Sequence, residues 1–249
     1  MTAPSPMTSQ EFVGAVSDPL QRIGAMHYFG PVAKAAADEL GLDGFRFYFA
    51  GRAGVLGEVS TAVVLSAFGY FNADLVEKMW STSKERCDVK AAATAQLGVA
   101  YTMGENHLTD VDGLDEAAAS LGALTGSVDV AGLGLFAGFR DQPIPTDPVH
   151  AFMHQAILYR ELRGSAHLAA LAATGCPSRV AHQLKRPNDL EMFGYQEEVE
   201  VTPFAQAAYD QAEPLTNSAM SAHVERVLDS AQCGQIAGVV AAAETAFSG

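Results

Sequence analysis

The hydrophobic and polar positions of this chain predict helices almost throughout, and the segment from Asp147 to Leu171 is the most distinctive of them. This segment has no broad polar face, yet it carries His150, His154, Arg160, Glu161, Arg163 and His167. A helix that is apolar on all sides is normally buried. Desolvating an unpaired ion costs several kcal/mol, so buried charges must be paired or bound. We therefore predict a buried central helix that contains either a polar site or a structural ion-pair network.

The rest of the pattern divides the chain into two helical halves. We predict a disordered lead-in at 1–16, an N-terminal half at 17–125, a linker rich in glycine and proline at 126–147, and a C-terminal half at 148–249 that packs with the first as one unit. The predicted fold class is all-α, a multi-helix bundle with degenerate helix-turn-helix or winged-helix-like segments around one long central helix. The run FRFYF, within Gly44–Val59, alternates like a strand but also fits a tightly packed helix.

Two places could form a helix-turn-helix. One lies within Ala53–Trp80, where two short predicted helices, Val59–Phe68 and Ala73–Trp80, are separated by four residues that include Gly69. The other is Leu215–Asp229. A DNA-binding helix is expected to be basic, whereas the stretch from Glu58 to Trp80 has a single lysine against three acidic residues.

Composition narrows the class of protein. The chain has 249 residues, of which 49% are hydrophobic and 18% charged, and this balance is typical of a globular protein. A net charge of −14 argues against extended contact with a phosphate backbone, so nucleic acid is not an expected partner. The sequence has no apolar run long enough to span a membrane and no signal peptide. Its three cysteines are widely spaced and odd in number, which fits a reducing cytosol better than a disulfide framework. A cytoplasmic protein is predicted.

Four segments resemble an actinobacterial family of largely uncharacterised, helix-turn-helix-like, all-helical proteins. They are Tyr28–Pro31 together with Glu39–Phe45, Tyr48–Gly57, His154–His167 and Leu215–Asp229. The third is the most specific, because the family tends to have a histidine, then an R-E-H-R-G motif, then another histidine. The resemblance implies an all-helical fold and leaves the activity open.

A ligand-binding wall is the first hypothesis for the charged helix. At 100° per residue Arg160, Arg163 and His167 fall on one stripe, and paired guanidinium groups favour a carboxylate or phosphate ligand. The full predicted ligand-binding set is Arg52, Arg160, Arg163, His167, Tyr48, Tyr70 and Asn72. The alternative is that protein carboxylates such as Glu39, Glu58 or Glu225 pair with the arginines.

Two further chemistries are weaker candidates. His154 and Glu161 project near one another and could act together in acid–base catalysis, although seven residues separate them. His150 and His154 have the spacing of metal ligands, and His27 could supply a third, but no complete zinc motif is present. No metal site is therefore assigned, and the cofactor is unknown.

The function predicted from the sequence is small-molecule binding by a helical protein, in a buried Arg/His pocket for a small anionic organic ligand. An enzyme is one form that such a protein could take. The alternatives are a helix-turn-helix transcriptional regulator and a histidine-metal helical-bundle enzyme. The alanine-rich helix Ala231–Phe247 would permit a homodimer if its apolar face were exposed.

Overall fold

Helices form the framework of residues 5–248, the part of the chain that the computed structural model describes, and no β-strand occurs among them. The α-helices are α1 Ser9–Ile23, α2 Pro31–Glu39, α3 Gly44–Gly54, α4 Thr61–Phe68, α5 Ala73–Lys84, α6 Val89–His107, α7 Leu114–Ser127, α8 Gly134–Arg140, α9 Pro148–Thr174, α10 Ser178–Lys185, α11 Pro203–Glu225 and α12 Ser230–Ser248. Two short 3₁₀ helices lie at Met26–Tyr28 and Pro187–Asp189. The all-α prediction is confirmed. A wing made of strands is not found in this part of the chain.

The predicted central helix is α9, and it is buried as expected. The Asp147 side chain caps its first turn by accepting a hydrogen bond from the N–H of His150 at 3.0 Å, and Pro148 takes the first helical position. Gly175, with φ of 74°, ends it in the left-handed conformation that glycine tolerates. α1, α6, α7, α8 and α11 pack around α9, while α3 packs on α5 and α6.

The N-terminal boundary differs from the predicted lead-in of residues 1–16. Thr8 and Glu11 form a capping box, in which each side chain accepts a hydrogen bond from the other residue's N–H, and α1 begins at Ser9. Phe12 and Val16 are then buried within α1, which packs on α9, α11 and α12. Residues 1–4 lie outside the described part of the chain.

The predicted linker at 126–147 also contains more structure than its glycine and proline content indicated. It includes α8, whose side chains Leu135, Phe136 and Phe139 are buried against α9. Burial of these three large apolar side chains stabilises the helix despite the glycines around it.

The ambiguous FRFYF run is helical. The carboxylate of Asp43 accepts hydrogen bonds from the N–H groups of Phe45 and Arg46, which starts α3 at this point. Phe47 and Phe49 are both fully buried although they lie on different sides of the helix. A helix enclosed on all sides loses its 3.6-residue pattern, which is why a short stretch of it resembles a strand.

α4 and α5 form a helix-turn-helix close to the predicted bounds. The four-residue turn starts at Gly69, where φ is 74°, and ends at Asn72, whose side chain caps α5 by accepting a hydrogen bond from the N–H of Asp74 at 2.9 Å. A Cβ at Gly69 would lie 2.3 Å from a methyl carbon of Leu168, so glycine allows the turn to approach α9 closely. The C-terminal candidate lies mostly inside the continuous helix α11.

The alanine-rich helix predicted to mediate a homodimer is α12, and its apolar face is covered within the chain. α12 packs on α1 and α7, and Ile236, Val240 and Ala243 are buried there. The exposed apolar face on which that homodimer prediction depended is therefore not present. No helix in residues 5–248 has the length and apolar character needed to cross a membrane.

Candidate functional site

The charged centre of α9 is an ion-pair cluster around Glu161. This carboxylate is 1% exposed and accepts two hydrogen bonds from Arg52 of α3, at 2.8 Å from Nη2 and 3.1 Å from Nε. Arg160 also pairs with Glu161, and the hydroxyl of Tyr28 donates to it at 3.2 Å. The cluster joins α9 to α3 through a bidentate contact, which fixes geometry as well as charge.

Burial alone would raise the pKa of Glu161, but the charges of Arg52 and Arg160 outweigh burial and lower that pKa to about 2. Glu161 is therefore an anion at neutral pH. One carboxylate neutralises only one of the two guanidinium groups, so the cluster retains a positive charge. Protein carboxylates do pair with these arginines: Glu161 of the same helix with Arg52 and Arg160, and Glu213 of α11 with Arg163. None of the three carboxylates named from the sequence, Glu39, Glu58 and Glu225, is among them.

A second group of polar side chains continues along α9. Arg163 pairs with Glu213 of α11, and its Nη2 donates to the Asn217 side chain at 3.1 Å. Nδ1 of His167 lies 3.0 Å from the Thr216 hydroxyl, while its buried Nε2 has no hydrogen-bond partner. Burial and the charge of Lys185 lower the pKa of His167 to about 4, so its imidazole is neutral at neutral pH.

The side chains of Arg52, Arg160, Glu161, Arg163 and His167 border a cavity of about 520 Å³, a size typical of small-molecule sites. Six of the chain's 15 Lys and Arg residues line it, against two of the 29 Asp and Glu residues. The six are Arg22, Arg52, Arg160, Arg163, Lys185 and Arg186. Eight aromatic residues complete the wall. A chain with a net charge of −14 thus has a locally basic, aromatic cavity.

The structure places most of the predicted ligand-binding residues around this cavity. Arg52, Arg160, Arg163, His167, Tyr48 and Tyr70 all line it. Asn72 does not, because it caps α5 and borders a separate shallow groove between α5 and residues 194–197. Their role in binding stays a prediction.

Sequence reasoning missed three lining residues on or directly after α10: His182, Lys185 and Arg186. His182 is 1% exposed, and neither of its ring nitrogens has a hydrogen-bond partner. Burial and the charge of Arg186 lower the pKa of His182. These residues belong to His182–Arg186, the longest basic cluster of the sequence. The sequence does not show that this cluster lies beside α9, because that position follows from tertiary packing.

The candidate catalytic pair is not brought together. Nδ1 of His154 lies 2.8 Å from the Tyr101 hydroxyl, and His154 does not line the cavity. Glu161 is held by Arg52 and Arg160 in the cluster described above. The two groups belong to separate hydrogen-bond networks, so the geometry gives them no shared proton transfer.

The weak metal candidates are also separated. Nε2 of His150 lies 2.8 Å from a carboxylate oxygen of Glu105, whereas His154 contacts Tyr101. His27 is fully buried beside Tyr28, with both ring nitrogens lacking a hydrogen-bond partner. Within the described residues, no group of three or more His, Cys, Asp or Glu side chains is arranged to hold a metal ion.

The fold therefore defines an all-helical protein with a helix-turn-helix packed against a basic cavity. The profile of a helix-turn-helix family matches residues 13–197, about three quarters of the chain, and the protein belongs to that family. Neither the curated proteins nor the solved structures gave a match to this chain. The actinobacterial origin that the resemblance implied stays a prediction.

Family membership corrects one conclusion drawn from composition. The net charge and the poorly basic α5 led us to expect no nucleic-acid partner, and that expectation is wrong in view of the match, which makes DNA binding a candidate activity. The matched region contains α4 and α5 and ends before α11, so it favours the N-terminal helix-turn-helix over Leu215–Asp229.

We expect the substitution Arg52→Met to destabilise the fold by about 3 kcal/mol, because it leaves Glu161 buried with one cation instead of two. Urea denaturation measures this change. Arg22→Met is the matched control: Arg22 pairs with Glu244 but 61% of its side chain is exposed, so a loss below about 1 kcal/mol is expected. Equal losses in the two variants would contradict the structural role of the buried cluster.

The buried His27 should make the protein sensitive to acid. Burial and the charge of Arg160 lower its pKa to about 3, so below pH 6.5 the unfolded chain binds a proton at His27 that the folded protein does not. The free energy of unfolding therefore falls as the pH falls from about 6.5 towards 3. In His27→Leu we expect a shallower pH dependence between about pH 6 and 4, by about one proton, in denaturant titrations. His107→Leu, at an exposed histidine, is the control, and an equal change there would count against the prediction.

Proposed function

We propose that the protein is a helix-turn-helix transcriptional regulator that contacts DNA through α4 and α5. The observation that carries this proposal is the family match over residues 13–197 together with the two-helix unit inside it. In such units the second helix enters the major groove. The cytoplasmic location predicted from the sequence is part of the same proposal.

The surface around α5 supplies the cations for this role. Lys78, Lys84, Arg86 and Lys90 are exposed along α5 and the start of α6. The same stretch contains Asp74, Glu77, Glu85 and Asp88, so its net charge is zero in a chain whose total is −14. We infer modest affinity with few phosphate contacts, and hence a shallow dependence on salt.

Selection from a pool of randomised duplexes, followed by fluorescence anisotropy, tests the proposal. We expect Lys78→Ala to weaken binding to the selected duplex about tenfold, as for loss of one base or phosphate contact. Lys34→Ala, which removes an exposed lysine of α2, is the control and should leave affinity unchanged. Failure to enrich any duplex would remove the regulator proposal.

A second function is favoured by a different observation, the charge balance of the cavity. We infer that this cavity binds a small organic anion, with Arg52, Arg160, Arg163 and His167 on its polar side and Tyr48 and Tyr70 on its aromatic side. Six lining cations against two lining carboxylates support an anionic guest.

Filling the cavity tests this function without disturbing its charges. Gly164 lies on α9 and lines the cavity, and a Cβ there would meet no atom within 4 Å, so Gly164→Phe can occupy the space. We expect one saturable site for 8-anilinonaphthalene-1-sulfonate in fluorescence titrations, lost in Gly164→Phe. Gly126→Phe, at an exposed glycine with equally open surroundings, should retain it. Equal binding by both variants would place the dye elsewhere.

A further inference from the structure

The cavity has two chemically different ends. Arg52 and Arg160 share Glu161, Arg163 pairs with Glu213, and Arg22 pairs with Glu244. Lys185 and Arg186, at the α10 end, have no carboxylate within 4.0 Å among residues 5–248. The uncompensated positive charge of the lining is therefore greatest at α10.

Partnerless hydrogen-bonding groups lie at the same end. His182 is buried with two free ring nitrogens, and His167 has a free Nε2. Both side chains line the cavity. A buried polar atom without a partner costs free energy, so a ligand whose atoms bond these two rings is stabilised at this end of the cavity. Two neutral imidazoles beside two cations favour an oxyanion.

The rest of the wall favours a planar, aromatic body. Eight of the chain's 21 aromatic residues line this one cavity. Phe29 is 51% exposed and stacks on Tyr48, with ring centroids 5.7 Å apart. Phe193 stacks on Phe71 at 4.3 Å. Aromatic rings gain specific stacking energy from a second ring, which an aliphatic ligand does not supply.

We infer that the cavity is an effector site for an aromatic acid, whose oxyanion lies beside Lys185 and Arg186 and whose ring packs among the aromatic side chains. A carboxylate or a phosphate supplies the same oxyanion. The effector role rests on the proposed DNA-binding function, whereas the site itself does not.

α10 connects this site to α5. On α10, Gln183 makes two hydrogen bonds to the backbone of Val199, at 2.9 and 2.7 Å, and Arg179 donates to the carbonyl of Glu197 at 2.9 Å. The segment held in this way, residues 193–199, contacts the helix-turn-helix directly. The N–H of Asn72 donates to the carbonyl of Phe193 at 2.9 Å.

The contact lies at the start of α5, the end of a recognition helix that reads base edges. A Cβ at Gly194 would lie 2.9 Å from Cβ of Asn72 and 3.0 Å from Cβ of Leu75, so the two backbones are close. A ligand that draws Lys185 and Arg186 inwards therefore moves the end of α10. Because Arg179 and Gln183 of α10 hold residues 193–199 beside α5, the start of α5 is affected as well. Occupancy of the cavity changes DNA affinity by this route.

Calorimetry with four probes tests the site. We expect 1-naphthoate and 1-naphthyl phosphate to bind with one-to-one stoichiometry, and the neutral 1-naphthalenemethanol and the aliphatic cyclohexanecarboxylate to bind at least tenfold more weakly. The relative affinity of the first two distinguishes a carboxylate site from a phosphate site. Equal affinity for charged and neutral naphthalenes would overturn the oxyanion assignment, and equal affinity for naphthoate and cyclohexanecarboxylate would overturn the aromatic one.

Charge removal locates the oxyanion. The double variant Lys185→Gln/Arg186→Gln should weaken both naphthalene anions at least tenfold and leave 1-naphthalenemethanol unchanged. The control Lys34→Gln/Arg226→Gln removes two exposed cations elsewhere on the chain and should bind all probes as the wild type does. An unchanged affinity in the first variant, or an equal loss in the control, would overturn the assignment to α10.

A final measurement separates the site from its effector role. Anisotropy of the selected duplex, with and without saturating 1-naphthoate, should differ at least fivefold for wild type and not for Gly164→Phe. Naphthoate binding with unchanged DNA affinity would overturn the effector role alone. If no duplex binds in either state, the DNA-binding proposal fails together with the effector role, while the calorimetry still decides the site.

Discussion

The buried carboxylate of Glu161 is the constraint on which the centre of this protein depends. It is 1% exposed, and its ionised form requires guanidinium partners from two directions, Arg52 on α3 and Arg160 on its own helix. Because a bidentate contact fixes orientation as well as distance, α3 is held in one position against α9. Arg52 also lies 4.6 Å above the ring of Phe68, the last residue of α4. The ion-pair cluster, the cavity and the helix-turn-helix are therefore parts of one packed region.

Much of this arrangement can be predicted from the sequence, because its elements leave local signals. The central helix is predicted by its near-continuous apolar character, with Asp147 and Pro148 at its start and Gly175 at its end. The helix-turn-helix is predicted by two short helical segments on either side of residues 69–72. Boundaries are harder: the capping box at Thr8 makes residues 9–16 helical where we expected disorder, and α8 forms within a segment whose glycines predicted a linker. At α8 burial of large apolar side chains outweighed local propensity, whereas the capping box of α1 is a local signal that our prediction did not use.

Only part of the site can be predicted, because the sequence shows spacing within one helix but not contacts between helices. Residues of α9 share a helix, so their relative positions follow from 100° per residue, and the predicted set of Arg160, Arg163 and His167 does face one cavity. The residues at α10 are brought there by tertiary packing, and sequence spacing carries no information about it. Spacing within one helix can also mislead. His154 and Glu161 lie near one another when α9 is viewed along its axis, yet their side chains belong to different hydrogen-bond networks.

Net charge is a poor guide to what such a chain binds, because electrostatic recognition depends on local distribution. The total of −14 led us to expect no nucleic-acid partner, yet the protein belongs to a helix-turn-helix family, and 40% of its cations border one cavity. Arg52 and Arg163 are buried, so salt screens their charges less, whereas Arg22, Lys185 and Arg186 are exposed to solvent. The acidic remainder of the surface repels anions that lack access to the cavity. On the two binding proposals, an acidic exterior around a basic cavity selects for small anions, and for polyanions only where the surface is locally neutral, as it is along α5.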